Sequence, residues 1–313
     1  MTSKVCVLGS INMDVVVRVD RFPSVGETIT GLACDLIPGG KGANQAIAVA
    51  NMGVLVDLIG ALGNDEFGKM LSSHLTTAGV NIDAVAKVKD SSGTAIVAVD
   101  NAGNNQIIVI PASNALLQQA TVGQYLDKQS SAVRYLVSQF EVPLDIIGYA
   151  FAKAKKFGST TVMNPSPMRP IPNKLIEQTD IFVLNELELA QAVGLTNLIS
   201  SQEEAAKAAL LWRERIGEKT VIVTLGENGL VAIQGNRVIR QPAQRVAKVV
   251  DTTGAGDCFC GTFIALLHRE YPFEASLTLA QKAAAYSVQR KGASPSFPKL
   301  ETLTLNETKG DTT

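Results

Sequence analysis

Six short apolar runs, at 5–9, 56–61, 135–140, 161–164, 181–184 and 221–225, are spaced along the chain, with helix-like stretches at 43–52, 68–78, 144–157, 187–193 and 203–215 between them. This alternation constrains the fold more than any other feature. Strands buried on both faces read as continuous apolar runs, and parallel strands must be joined by crossovers long enough to hold a helix. The pattern predicts an α/β fold with a central, mostly parallel sheet and helices on both faces. In such sheets a ligand sits at the carboxyl ends of the strands.

Two regions break the alternation. Residues 14–37 and 93–110 hold strand-like pieces that follow one another without helices. They are expected to pair as a small β-sheet lid on a single α/β domain spanning 1–313. Val15, Val16 and Val17, and likewise Ile107, Ile108, Val109 and Ile110, are apolar at consecutive positions, so both faces of that sheet need cover. One face can close over a substrate and the other can meet a second copy of the chain, which makes a homodimer through the lid the expected assembly. An ordinary extension packed on the main core is the alternative. The tail after Leu305 is polar and expected to be loose.

With 46% hydrophobic and 18% charged residues, the chain can bury a large core. Its 28 Lys and Arg against 29 Asp and Glu leave a net charge of -1, and the cations are dispersed. Nucleic acid and anionic membrane surfaces need a basic patch, so a small molecule is the expected partner. The first residues enter an apolar strand without the longer apolar region of a signal peptide, and no run reaches the roughly 18 apolar residues of a membrane span. A cytoplasmic location is expected. Cys6, Cys34, Cys258 and Cys260 show neither a disulfide framework nor zinc spacing and read as buried free thiols.

Chemistry concentrates at two glycine clusters. Asp251-Thr252-Thr253-Gly254-Ala255-Gly256-Asp257 leads into apolar residues at Phe259, Phe263, Leu266 and Leu267, the spacing of a helix with one buried stripe. The first turn of that helix offers N–H groups without intrahelical partners, and small residues let a ligand approach them. The helix dipole adds positive potential, so an anion such as phosphate is the natural occupant. Asp257 places a carboxylate beside it, as a proton acceptor or as a simple cap of the first turn. The second cluster, Pro38-Gly39-Gly40-Lys41-Gly42-Ala43-Asn44-Gln45-Ala46, opens another helix and adds Lys41 and Asn44. It is no Walker A loop, since Asp35 and Gly42 stand where a glycine and a Ser or Thr are required. A dinucleotide loop is also absent, because Gly9 is followed by Ser10, Ile11 and Asn12. What remains is a glycine-lined wall with amide and ammonium donors, suited to a polyhydroxylated ligand.

Asn12-Met13-Asp14, the run from Gly39 to Ala46 and the run from Asp251 to Asp257, in that order, resemble the signatures of the ribokinase-like (PfkB) carbohydrate kinases, and the likeness extends to Arg290-Lys291-Gly292-Ala293-Ser294-Pro295-Ser296. The resemblance implies ATP-dependent phosphorylation of a sugar hydroxyl, the 5-hydroxyl of ribose, with Asp257 as the base and Gly254, Ala255 and Gly256 around the moving phosphoryl group. It implies that Asn12, Asp14, Gly40, Lys41, Asn44 and Glu141 grip the sugar. It implies that Asn185, Thr224, Gly226 and Gly229 contact the nucleotide, and that Glu188 stands in the water shell of Mg2+. An activating K+ is implied beside Asp251, Thr253, Ser287, Arg290, Gly292 and Ser296. Without the resemblance, Asn12 and Glu141 read as loop polars, Glu186 and Glu188 as first-turn acids, and 224–229 as a glycine turn. Two positions depart from the family pattern: Cys260, where Asn is frequent, and Gln281, where a His commonly approaches adenine. Another pentose, 2-deoxyribose or a nucleoside stays open as substrate, as does a catalytically silent sugar sensor.

Overall fold

Each of the six apolar runs coincides with a parallel strand of one large sheet. The computed structural model describes residues 3–129 and 131–304, so the tail reading lies outside the described residues. In chain order the strands are β1 (Lys4–Leu8), β2 (Asn12–Arg18), β3 (Ala33–Gly39), β4 (Val56–Gly63), β5 (Asn81–Val88), β6 (Gly93–Val99), β7 (Asn105–Ile110), β8 (Val133–Gln139), β9 (Thr160–Asn164), β10 (Ile181–Asn185), β11 (Thr220–Thr224), β12 (Leu230–Gln234) and β13 (Arg237–Gln241). The helices are α1 (Lys41–Asn51), α2 (Glu66–Thr77), α3 (Gln119–Gln129), α4 (Leu144–Lys156), α5 (Asn173–Gln178), α6 (Glu186–Val193), α7 (Gln202–Ile216), α8 (Ala255–His268), α9 (Phe273–Ser287) and α10 (Leu300–Thr304).

The large sheet has the order β13-β12-β11-β10-β9-β8-β1-β4-β5. Its strands are parallel from β5 to β11, and β12 and β13 close one edge as antiparallel strands. The period of two along each strand divides its side chains between two cores. Val5 and Val7 of β1 pack with α1, α8 and α9, whereas Cys6 and Leu8 pack with α3 and α4. From β1 the chain winds to β4 and β5 on one side and later to β8, β9 and β10 on the other. The reversal opens a crevice between the carboxyl ends of β1 and β8, where ligands bind in sheets of this kind.

The second sheet, in the order β3-β2-β6-β7, is the lid. Its strands β2 and β3 begin and end two residues outside the expected 14–37, because Asn12 pairs with Gly39 at the base of the hairpin. The lid therefore grows directly out of the Asn12 and Gly39–Gly40 segments. All six residues of β7 are exposed, with Ile108 at 62%. The four cysteines are free thiols. Cys34 departs from the expectation of burial because it lies on exposed β3. Among the described residues no helix is long and apolar enough to cross a membrane.

Candidate active site

Two helices that open at glycines meet at the crevice. Gly42 at the start of α1 lies so close to the end of β1 that a Cβ there would fall 2.5 Å from the carbonyl carbon of Gly9. Further along, Gly261 of α8 faces the Gln45 carbonyl, and a Cβ at 261 would come within 2.4 Å of that oxygen. This close crossing sets Asn44 and Gln45 of α1 against the first turn of α8.

Helix α8 is capped by Gly254 in the left-handed region, with φ of 75° and no side-chain cap. A Cβ at Gly254 would meet that of Ala293 at 2.7 Å, so both conformation and space require glycine. The N–H groups of Gly254, Gly256 and Asp257 have no partner among the described residues. Together with the helix dipole they form a seat for an anion.

The cap expected as one role for Asp257 is not the one observed. Its carboxylate, 6% exposed, turns to α1: Oδ2 accepts from Asn44 Nδ2 and Oδ1 from Gln45 Nε2, both at 3.0 Å. Gln45 Nε2 also donates to Asn164 Oδ1 at 3.1 Å, and Gln45 Oε1 accepts from Gln139 Nε2 at 2.6 Å. Asn44 Oδ1 is buried with no partner among the described residues. It is an acceptor open to a hydroxyl donor.

Beside this pair, Glu141 follows β8 and accepts from Ser10 Oγ and from the Lys41 N–H at the start of α1. Burial alone would lower the Lys41 ammonium, but the Asp257, Glu141 and Glu188 carboxylates outweigh it and hold the group above its ordinary value. Asp14 is pushed up to about 7, first by burial and then by repulsion from Glu141 and Asp257. Its carboxylate lies over Gly39, where a Cβ would be 2.5 Å from Oδ2. Asn12 is buried and accepts from Asn114 Nδ2 at 2.8 Å. Gly40, with φ of 90°, lies against the Asn12 N–H. Asn12, Asp14, Gly40, Lys41, Asn44 and Glu141 thus converge from the lid base, α1 and the end of β8.

A cleft of about 220 Å³ adjoins them, lined by Lys41, Asn185, Glu188, Thr224, Thr252 and the first turn of α8. Asn185 and Glu188 form a reciprocal capping box on α6: Asn185 Oδ1 accepts from Glu188 N at 2.7 Å, and Glu188 Oε2 accepts from Asn185 N at 2.9 Å. The first-turn reading is therefore realised, and both residues also face the cleft. Burial raises the Glu188 carboxyl against the lowering effect of its hydrogen bonds. Gly226 and Gly229 shape the turn between β11 and β12, both at positive φ, and do not line the cleft. Asp251 ties the loop before α8 to the loop after α9, accepting from Thr253 N and Gly292 N at 2.9 Å each. Burial acts to raise this carboxyl, but those bonds and Lys291 hold it below its ordinary range. Ser287 and Ser296 are buried along the same strap, and the Ser287 carbonyl accepts from Arg290 N. No group of three His, Cys, Asp or Glu side chains fit to hold a metal occurs among the described residues. A metal here would have to draw most of its ligands from main chain, water or phosphate.

The pfkB family carbohydrate kinase model matches residues 2–300. The chain belongs to that family. It is 34% identical to the ribokinase of Haemophilus influenzae over 98% of this chain and 99% of that protein. It is 32% identical to the deoxyribokinase of Salmonella typhi over 97% of this chain and 99% of that protein. Among solved structures, Arabidopsis thaliana ribokinase complexed with ribose and ATP superposes with a TM-score of 0.88 at 32% identity, covering 97% of this chain and 98% of that one. The protein is a sugar phosphotransferase with the ribokinase-like fold expected from the sequence.

Several residues of this kinase site were not singled out by sequence. Ser10, Gln45, Asn114, Asn164 and Thr252 contact the expected residues or line the cleft, and Gln139 donates to Gln45. Gln45 carried a signal: it is a polar residue inside the stripe Ala43, Ala46 and Ile47, which is buried throughout. Asn114 carried none, since its partners Ile11 and Asn12 are about a hundred positions away and it lies in a short 3₁₀ helix, Ala112–Leu116.

Proposed function

We propose that this kinase transfers the γ-phosphoryl group of ATP to the 5-hydroxyl of D-ribose. The observation that carries the reading is the buried Asp257 carboxylate, held by two side-chain amides beside partner-free N–H groups at the start of α8. The full-length similarity to ribokinases supports ribose as the acceptor. In this reading Asn12, Asp14, Gly40, Lys41, Asn44 and Glu141 hold the sugar. Their carboxylates and amides can each accept from or donate to a hydroxyl. Asp257 takes the proton of the attacking hydroxyl as the P–O bond to the sugar forms and the bond to ADP breaks. The N–H groups of Gly254, Gly256 and Asp257 hold the moving phosphoryl oxygens. Such electrostatic seating usually supplies more of the rate than the base, which contributes about 10²- to 10⁴-fold.

The nucleotide would lie along Asn185, Thr224 and Thr252, with Gly226 and Gly229 setting the turn behind Thr224. Mg2+, held through water by Glu188, supplies charge neutralisation on the phosphates. The buried, cleft-lining Glu188 carboxylate fits that task, since one nearby carboxylate suffices for an ion that keeps several waters. The strap tied by Asp251 gathers Thr253, Ser287, Arg290, Gly292 and Ser296, and its carbonyls suit a monovalent cation such as K+. The lid, a part of the single domain, would close over the sugar and clasp a second copy. The cytoplasm is the compartment that suits four free thiols.

Similarity to a deoxyribokinase gives 2-deoxyribose a specific claim as second substrate. A sugar lacking one hydroxyl leaves a buried polar partner unmatched, so the two acceptors are separable by rate. Measured ADP release with ribose, 2-deoxyribose, fructose and adenosine should give ribose the highest kcat/KM. A higher value for 2-deoxyribose would replace the substrate, and saturable ribose binding without turnover would replace the enzyme by a sensor.

A further inference from the structure

We infer that Gln45 is a positioning residue for Asp257, fixing the carboxylate that acts as base. The inference rests on the proposed role of Asp257 and extends it to a side chain outside that role.

Gln45 is fully buried, and its amide is hydrogen-bonded at both ends. Nε2 donates to Asp257 Oδ1 and to Asn164 Oδ1, and Oε1 accepts from Gln139 Nε2. The orientation of the amide is determined. Asn164 Nδ2 donates to the Val183 carbonyl, which leaves its Oδ1 toward Gln45. A reversed Gln45 would set its carbonyl against two acceptor oxygens, one of them charged. Gln139, also fully buried, is accommodated by Gly9, where a Cβ would fall 2.2 Å from Gln139 Oε1. The amide pair thus joins the end of β8, the second turn of α1 and the first turn of α8.

The need for such a pin follows from the place of Asp257 in its helix. It is the third helical residue after the Gly254 cap, a position from which an acidic side chain can bend back to the free N–H groups of its own first turn. That motion would cover the anion seat and withdraw the base from the hydroxyl. Gln45 opposes it by engaging Oδ1 from the side of α1. Its donated hydrogen bond thus holds one carboxylate oxygen while the other faces Asn44.

Gln45→Met keeps an unbranched side chain of similar length and removes the donors. We expect kcat to fall by about 10- to 10²-fold, within the range a general base contributes, with KM for sugar and ATP changed less than about threefold. Gln45→Glu should lower kcat further, by placing a carboxyl against Asp257. Gln139→Met, whose side chain among the described residues hydrogen-bonds only to Gln45, should act in the same direction and more weakly, and it serves if the Gln45 variants do not fold. Gln45→Met added to Asp257→Asn should cost nothing more. A kcat within twofold of wild type overturns the inference, as does an additive loss in the double variant. If Asp257→Asn alone keeps near-normal turnover, the underlying assignment of the base fails instead.

Discussion

The two sheets of this kinase are made from the same kind of sequence and end in opposite surroundings. In β4 of the large sheet all eight residues are buried, because helices cover both faces. In β7 of the lid all six are exposed, although Ile107, Ile108, Val109 and Ile110 are as apolar as anything in the core. Continuous apolar character specifies a strand that wants cover on two sides. It does not specify what provides the cover. The large sheet finds it within the chain, and so holds Asp257, Gln45 and Glu141 on fixed elements. The lid is left with apolar area exposed, which in the proposed reading a ligand covers on one side and a second copy on the other.

The sharpest test of the rigid half is Asp257→Asn. Its kcat should fall by roughly 10² or more while KM for ribose stays within a few-fold. Near-normal turnover would detach the chemistry from α8. The contrast in burial itself is tested by truncating one residue in each sheet. Leu58→Ala in β4 should destabilise by about 2–5 kcal/mol in denaturant melts, since a buried side chain leaves a cavity. Ile108→Ala in β7 should stay within about 0.5 kcal/mol of wild type where the chain is monomeric, as surface substitutions do. Equal losses would mean that the lid is part of the core.

For the lid, the chain should sediment as a dimer at micromolar concentration, and Ile108→Lys should weaken the dimer at least about tenfold by placing a charge in an apolar contact. A monomeric wild type would end the clasp. A pH-dependent effect lies where the sheets join. Asp14 rises from an ordinary 3.8 to about 7 in the folded chain, which therefore binds this proton more tightly than the unfolded chain does. That contribution to stability is fully present below pH 4 and is lost as pH rises through about 7. Asp14→Asn should remove this slope, so its stability relative to wild type should improve between those limits. Parallel stability curves for the two proteins would show that Asp14 does not titrate there.

The large sheet was readable in the sequence because its signal is local: runs such as 161–164 and 181–184 need only their own residues to announce burial. The strand β5 and the helices α3 and α9 were not singled out. The burial of β5 is mixed, so it lacks a continuous apolar run. The glycine clusters were visible for a similar reason, since a backbone that must bare its N–H groups or press against another chain segment admits few residue types. The hydrogen bonds of Asp257 were not visible. Its partners lie 213 and 212 positions away, and nothing near 257 says whether its carboxylate caps its own helix or reaches another. Gln281, a departure from the family pattern, likewise shows only in three dimensions that it is buried and donates to the Pro242 carbonyl.

By itself the sequence determined a parallel α/β sheet, two helices opening at glycines and a separate set of apolar strands in need of cover, because periodicity and backbone freedom are properties of neighbouring residues. The tertiary structure alone decided that α1 crosses α8 closely enough for Asn44 and Gln45 to take both oxygens of Asp257. A carboxylate in a first helical turn has two ways to satisfy its charge, and only the packing of distant elements selects between them.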